Sequence, residues 1–177
     1  MFVRIELSNV PHMRDPLQEM FERTTEEARW REKAVELLAE DKFDPEFRRK
    51  FHTYWTEAGH HIREQIGDDV TLVSLLRLIV PPYVGLSRTL YRGENLDRWT
   101  ARRIGLCWSE NVEVARMFGR GLNAMGNGGI LLQCRTTNGA IIAGPSEHSQ
   151  YLGESEYTLD PPKIFSIEII EEYPRDE

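Results

Sequence analysis

Cysteine is scarce in this chain. Cys107 and Cys134 are the only two in 177 residues, and they form neither a CxxC pair nor a metal-ligand spacing. That excludes a disulfide-stapled scaffold and a thiolate metal site, and it predicts two buried free thiols, with a single disulfide between them as the alternative. Long apolar runs are missing as well. The longest, Leu75 to Val84, contains Arg77 and two prolines and falls short of the roughly 20 residues a bilayer demands, so no membrane-spanning segment is expected. Met1 to Val10 carries Arg4 and Glu6 and has neither the apolar core nor the small-residue cleavage site of a signal peptide. The expectation is a cytoplasmic protein, or one delivered into a target cell without a Sec signal. Positive charge is in deficit: 22 Lys and Arg against 29 Asp and Glu leave a net charge of −7, which argues against a general binder of nucleic-acid backbones. The basic stretches Trp99 to Arg103 and Arg116 to Arg120 are local exceptions.

What is present is the ordinary balance of one globular domain, with 40% hydrophobic and 29% charged residues. A chain of this size buries roughly 70% of its unfolded surface and needs no metal to fold. Residues 1–83 read as mainly helical and 84–177 as β-rich, which predicts an α+β fold with segregated elements. Thr24 and Glu27 have the spacing of a capping box ahead of a helix over about 25–40. Asp44-Pro45 opens a second helix with an aromatic stripe of Phe47, Phe51, Tyr54 and Trp55, read as core packing. A third, buried helix follows Gly67 and ends at Pro81-Pro82. His52, His60 and His61 lack the H-E-x-x-H spacing of a zinc site and read as structural or solvated.

In the second half, Ser87–Tyr91, Leu106–Trp108, Gly129–Arg135, Ala140–Ala143, Glu156–Leu159 and Ile164–Ile170 are predicted strands. One helix, capped by Ser109, interrupts them, and the glycine-rich run Gly119–Gly129 after it reads as a mobile loop. Three features here suggest chemistry. Arg92 closes a strand and is followed by Gly93, so a fixed cation and an approachable backbone sit together, as an anionic phosphate requires; a solvated arginine before a turn is the alternative. Ser109 lies at a strand end and has the plain role of helix cap. Glu154 and Glu156 are two apart, so on a strand both emerge on one face and raise each other's pKa. A solvated edge strand is the alternative there.

The order Tyr91-Arg92-Gly93, Trp108-Ser109 and Glu154-Ser155-Glu156 resembles the R-S-E branch of the mono-ADP-ribosyltransferase family, over about residues 86–170. Where that family often has Ser-Thr-Ser, this chain has Trp108-Ser109-Glu110. The resemblance implies helices packed on a split, mixed or antiparallel sheet with an NAD cleft. NAD is then the substrate, no metal is needed, and an arginine on a protein is the favoured acceptor. It further implies that Glu156 stabilises the oxocarbenium-like cation and binds the ribose 2′-hydroxyl. Arg92 would hold the NAD phosphates, the Gly93 backbone would read the carboxamide, and Ser109 would orient Glu156. Glu154 would take the proton of the acceptor guanidinium, Tyr151 would be the exposed aromatic of an acceptor-recognition turn over Ser146–Gly153, and Phe118 would pack near the nicotinamide or serve as helix core. An NAD glycohydrolase and a non-catalytic NAD-binding or protein-interaction module remain the alternatives.

Overall fold

A computed structural model describes residues 15–137, 139–164 and 166–175; Met1 to Val10 and the rest of residues 1–14, the start of the part expected to be mainly helical, lie outside it. The first helix, α1 (Pro16–Glu26), starts where the Asp15 carboxylate accepts from the Leu17 amide at 3.0 Å ahead of a proline in the first turn. The single helix expected over 25–40 is two elements. Thr24 does not cap: its hydroxyl donates to the Met20 carbonyl inside α1 at 2.7 Å, and Ala28 at φ 54° turns the chain into α2 (Trp30–Leu38). The next two helices follow the sequence signals. In α3 (Pro45–Ile66), Asp44 accepts from the Phe47 amide, and Gly67 ends the helix at φ 80°. Helix α4 (Asp69–Ile79) is capped by Asp68 and stops before the two prolines.

The aromatic stripe is core. Phe21, Phe47, Phe51, Tyr54 and Trp30 pack ring on ring, with centroids 5.3–6.3 Å apart where they meet Phe21 or one another. Each fully buried ring of this kind stabilises the fold by about 1.5–3 kcal/mol. Leu106, Ile142 and Ala143 of the second half belong to the same buried cluster, so the helical layer rests on the sheet.

The second half runs β1 (Thr89–Asn95), α5 (Leu96–Thr100), β2 (Cys107–Ser109), α6 (Val112–Arg120), β3 (Gly129–Arg135), β4 (Ile141–Ala143), α7 (Glu147–Tyr151), β5 (Glu156–Leu159), a 3₁₀ turn at Pro161–Lys163, and β6 (Ile167–Tyr173). The sheet has the order β4-β5-β2-β1-β3-β6 with every pairing antiparallel, which decides between the mixed and antiparallel expectations. It narrows at the centre: β1 and β2 share the single register pair Tyr91 and Ser109, whereas β1 and β3 share seven pairs from Thr89–Arg135 to Asn95–Gly129. Two three-stranded halves therefore meet at one bridge, and a cleft opens where they diverge. Strand β5 lies between β4 and β2, so it is not the edge strand weighed above.

Helix α6 crosses β1 at very short range. A Cβ on Gly93 would stand 2.2 Å from both the Ala115 carbonyl oxygen and the Gly119 nitrogen, and one on Gly129 would stand 1.9 Å from the Gly119 carbonyl oxygen. Only glycine lets the helix backbone lie on the strand. We expect Gly93→Ala to lower stability by about 1–3 kcal/mol through overpacking, measured as a lower denaturation midpoint. An unchanged midpoint contradicts this packing.

Candidate active site

A pocket of about 350 Å³ opens at the seam between the two half-sheets. Strand β1 supplies Arg92 and Gly93, β2 supplies Cys107 and Ser109, α6 supplies Phe118, and the turn into β5 supplies Glu154 and Glu156. The six residues proposed from sequence for NAD and its chemistry thus line one pocket. Tyr151 is not among its lining residues. It stands on α7, 87% exposed. The acceptor-recognition turn expected over Ser146–Gly153 is folded into that helix, with the Ser146 hydroxyl accepting from the Ser149 amide at 3.1 Å. Phe118 is half-buried at the pocket and belongs to neither buried apolar cluster, so it is not helix core.

The two glutamates come together, but not as neighbours on one strand. Gly153 at φ 73° and Ser155 at φ 45° put a left-handed turn before β5, which starts at Glu156. The left-handed conformation costs a residue with a side chain about 1–2 kcal/mol, so the surroundings must hold it. They do. Fully buried Ser149 takes the Glu156 amide on its hydroxyl at 2.7 Å and the Glu154 amide on its carbonyl at 3.0 Å. Ser109 donates to the Glu154 carbonyl at 2.5 Å.

This corrects both roles expected of Ser109. Its hydroxyl binds the backbone of Glu154 rather than the carboxylate of Glu156, and α6 is capped by Asn111, whose side chain accepts from the Glu113 amide at 3.0 Å. Ser109 instead accepts from the Asn111 amide at 3.0 Å, two residues short of the helix. Cys107 is the residue whose thiol, with the Arg92 cation, holds the Glu156 pKa down.

Burial pushes the Glu156 carboxyl up to about 7; the Cys107 thiol and the Arg92 cation pull the other way, and the Glu154 charge adds to the rise. Burial, reinforced by Glu156, also holds the Cys107 thiol well above its ordinary value, so it stays protonated as a donor. If catalysis needs ionised Glu156, kcat/KM for the substrate should fall about tenfold per pH unit below an apparent pKa near 7. A profile flat from pH 5.5 to 8 would show that Glu156 does not act as an anion.

Arg92 is less free than its motif implies. Its Nε donates to Glu94 Oε2 at 2.8 Å and its Nη1 to the Cys107 carbonyl at 2.5 Å. Glu94 is 0% exposed and also accepts from the Gly105 amide at 2.8 Å and the Asn95 amide at 2.9 Å. A Cβ on Gly105 would sit 2.0 Å from Arg92 Nη2, so glycine there makes room for the guanidinium.

Sequence reasoning missed the helical contribution. Trp55, Thr56, Gly59, His60 and Arg63 of α3 form one wall of the pocket, and the Trp55 indole donates to Thr158 of β5 at 2.9 Å. The spacing of Trp55, Gly59 and Arg63 at i, i+4, i+8 was the available signal, hidden because Trp55 also continues the core stripe. The glycine-rich segment is held in place: Asn123, also in the lining, donates to the Gly93 carbonyl at 2.9 Å, and Asn95 Nδ2 donates to the Met125 carbonyl at 2.7 Å. These bonds tie the segment to β1. Both cysteines are free thiols, as expected, but only Cys134 is buried; Cys107 is half-buried at the pocket. Among the described residues, no helix is long and apolar enough to cross a membrane. Comparison with protein-family models, curated proteins and solved structures finds no match to this chain.

Proposed function

We propose that the protein is an NAD-dependent mono-ADP-ribosyltransferase whose acceptor is an arginine, most simply on a protein. The observation that carries this reading is the placement of Glu156: a half-buried carboxylate in a seam pocket, with Glu154 close enough to raise its pKa and Arg92 close enough to lower it. Such a carboxylate suits the stabilisation of a cation that develops during a reaction and is absent before it. A volume of about 350 Å³ is at the low end for small-molecule sites, which fits the nicotinamide riboside half of the dinucleotide, with the adenosine end lying across the open mouth.

In this reading the bond between ribose C1′ and the nicotinamide nitrogen breaks, and its electron pair neutralises the pyridinium charge of the departing nicotinamide. Glu156 faces the resulting oxocarbenium-like carbon and accepts from the 2′-hydroxyl. A guanidinium nitrogen of the acceptor then forms the new bond to C1′, and its proton passes to Glu154. Phe118 shields the nicotinamide side of the pocket from water. The test is nicotinamide release from NAD, followed with and without a guanidinium-bearing acceptor. Faster release with the acceptor supports transfer, release indifferent to it supports hydrolysis by water, and no release overturns the catalytic reading.

A further inference from the structure

Beside Arg92 and Arg63 the pocket holds a third arginine that no motif announced. Arg98 on α5 lines the cavity and reaches the same buried carboxylate as Arg92, with Nε 3.5 Å from Glu94 Oε1. Its remaining contacts are equally long: Nε and Nη2 each lie 3.4 Å from the Arg103 carbonyl. Compare its neighbours. Arg92 is bound to Glu94 and Cys107 at 2.8 and 2.5 Å, and Arg63 grips Asp69 through two bonds of 2.8 Å and the Ile104 carbonyl at 2.7 Å.

One carboxylate, Glu94, therefore serves two guanidiniums, and the Arg92–Glu94–Arg98 group carries one uncompensated positive charge at the pocket. We propose that Arg98, held on the Arg92–Glu94 pair, is the principal contact for a diphosphate group bound in this pocket, and that Arg92 supports it from beneath. The proposal rests on the reading of the pocket as an NAD site. Arg98 has the freedom the task needs, since its side chain is 46% exposed while that of Arg92 is 16% exposed and twice anchored. A guanidinium with only long contacts loses little when it turns to a phosphate, and its fork matches two phosphate oxygens at once. Around Arg98 positive charge predominates: Arg92, Arg63 and Arg103 crowd it, His60 is a further titratable neighbour, and Glu94 is the carboxylate that draws it. An anion bound there relieves the crowding of like charges.

The test is calorimetric binding of ADP, which carries the diphosphate but no nicotinamide, to the wild type, Arg98→Ala and Arg98→Lys. We expect at least a tenfold loss of ADP affinity in the alanine variant, partial recovery with lysine, and an unchanged denaturation midpoint because the contacts removed are long. ADP affinity unchanged in a folded Arg98→Ala protein overturns the proposal. Its failure is separable from that of the NAD reading. A wild type that cleaves NAD while Arg98→Ala keeps its KM leaves the activity standing and removes Arg98. A wild type that binds ADP through Arg98 but releases no nicotinamide keeps the diphosphate site and ends the catalytic reading. A wild type that binds no ADP overturns the proposal.

Discussion

Glu156→Gln is expected to lower NAD cleavage by about 100-fold or more, with or without an acceptor, and at the same time to make the protein more stable above pH 7. The loss follows from charge: the amide keeps the shape and the place in β5 but cannot face a developing cation with an anion, and removal of one preorganised electrostatic contact of this kind typically costs 10²–10³ in rate. The gain follows from linkage. The carboxyl of Glu156 is raised from 4.5 to about 7 in the folded protein, chiefly by burial. A raised acid makes its full contribution to stability below the unfolded value and loses it as pH climbs through the folded one. Between pH 4.5 and 7 the wild type therefore gives up on the order of 3 kcal/mol. Glutamine never ionises and avoids that loss. Denaturation midpoints of the two proteins should converge near pH 4 and separate at pH 8, with the variant higher; a variant less stable than wild type at pH 8 contradicts the assigned cause of the shift.

Glu154→Gln is expected to abolish arginine modification, by about 100-fold or more, while much of the NAD hydrolysis survives. Cleavage depends on Glu156 alone, but a guanidinium is protonated at neutral pH and does not attack until a base takes its proton, a contribution of 10²–10⁴ in typical general-base catalysis. Water needs no such help once the cation has formed. The backbone of Glu154 is held by Ser109 and Ser149, not by its own side chain, so the amide leaves the turn in place. The readout is the ratio of modified acceptor to free ADP-ribose. Equal loss of both products, or untouched transfer, removes the division of labour between the two carboxylates.

The chemistry of the pocket was legible where residue type and spacing act locally. Ser109 and Glu154-Ser155-Glu156 reach the cavity because each sits at or beside the end of a short strand, whereas Arg92-Gly93 lies in the middle of β1, which runs on to Asn95 instead of closing at Arg92 as expected, and reaches the cavity because β1 borders the seam. What was not legible depends on contacts distant in the chain. The 45 residues between Ser109 and the Glu154 carbonyl hide a bond that no motif encodes, and a serine matched by position to Glu156 turns out to hold Glu154 instead. Ser149 carries no signal of its own, yet it fixes the turn on which both carboxylates depend. Thr24 and Glu27 have the spacing of a capping box, but Thr24 already lies inside a helix begun by Asp15-Pro16, so its hydroxyl turns back to Met20. The short helices α5 and α7 have five residues each, too few for a periodic pattern to emerge, and with α5 another arginine of the pocket, Arg98, escaped notice.

The central claim, transfer of ADP-ribose from NAD to arginine, is tested most directly by mass spectrometry of a cell lysate incubated with the protein and NAD, with the Glu156→Gln variant as control. The account predicts ADP-ribose on arginine side chains in the wild-type sample and none above background with the variant. The mark on hydroxyl, carboxylate or nucleic-acid acceptors instead, or equal marking by the two proteins, contradicts it.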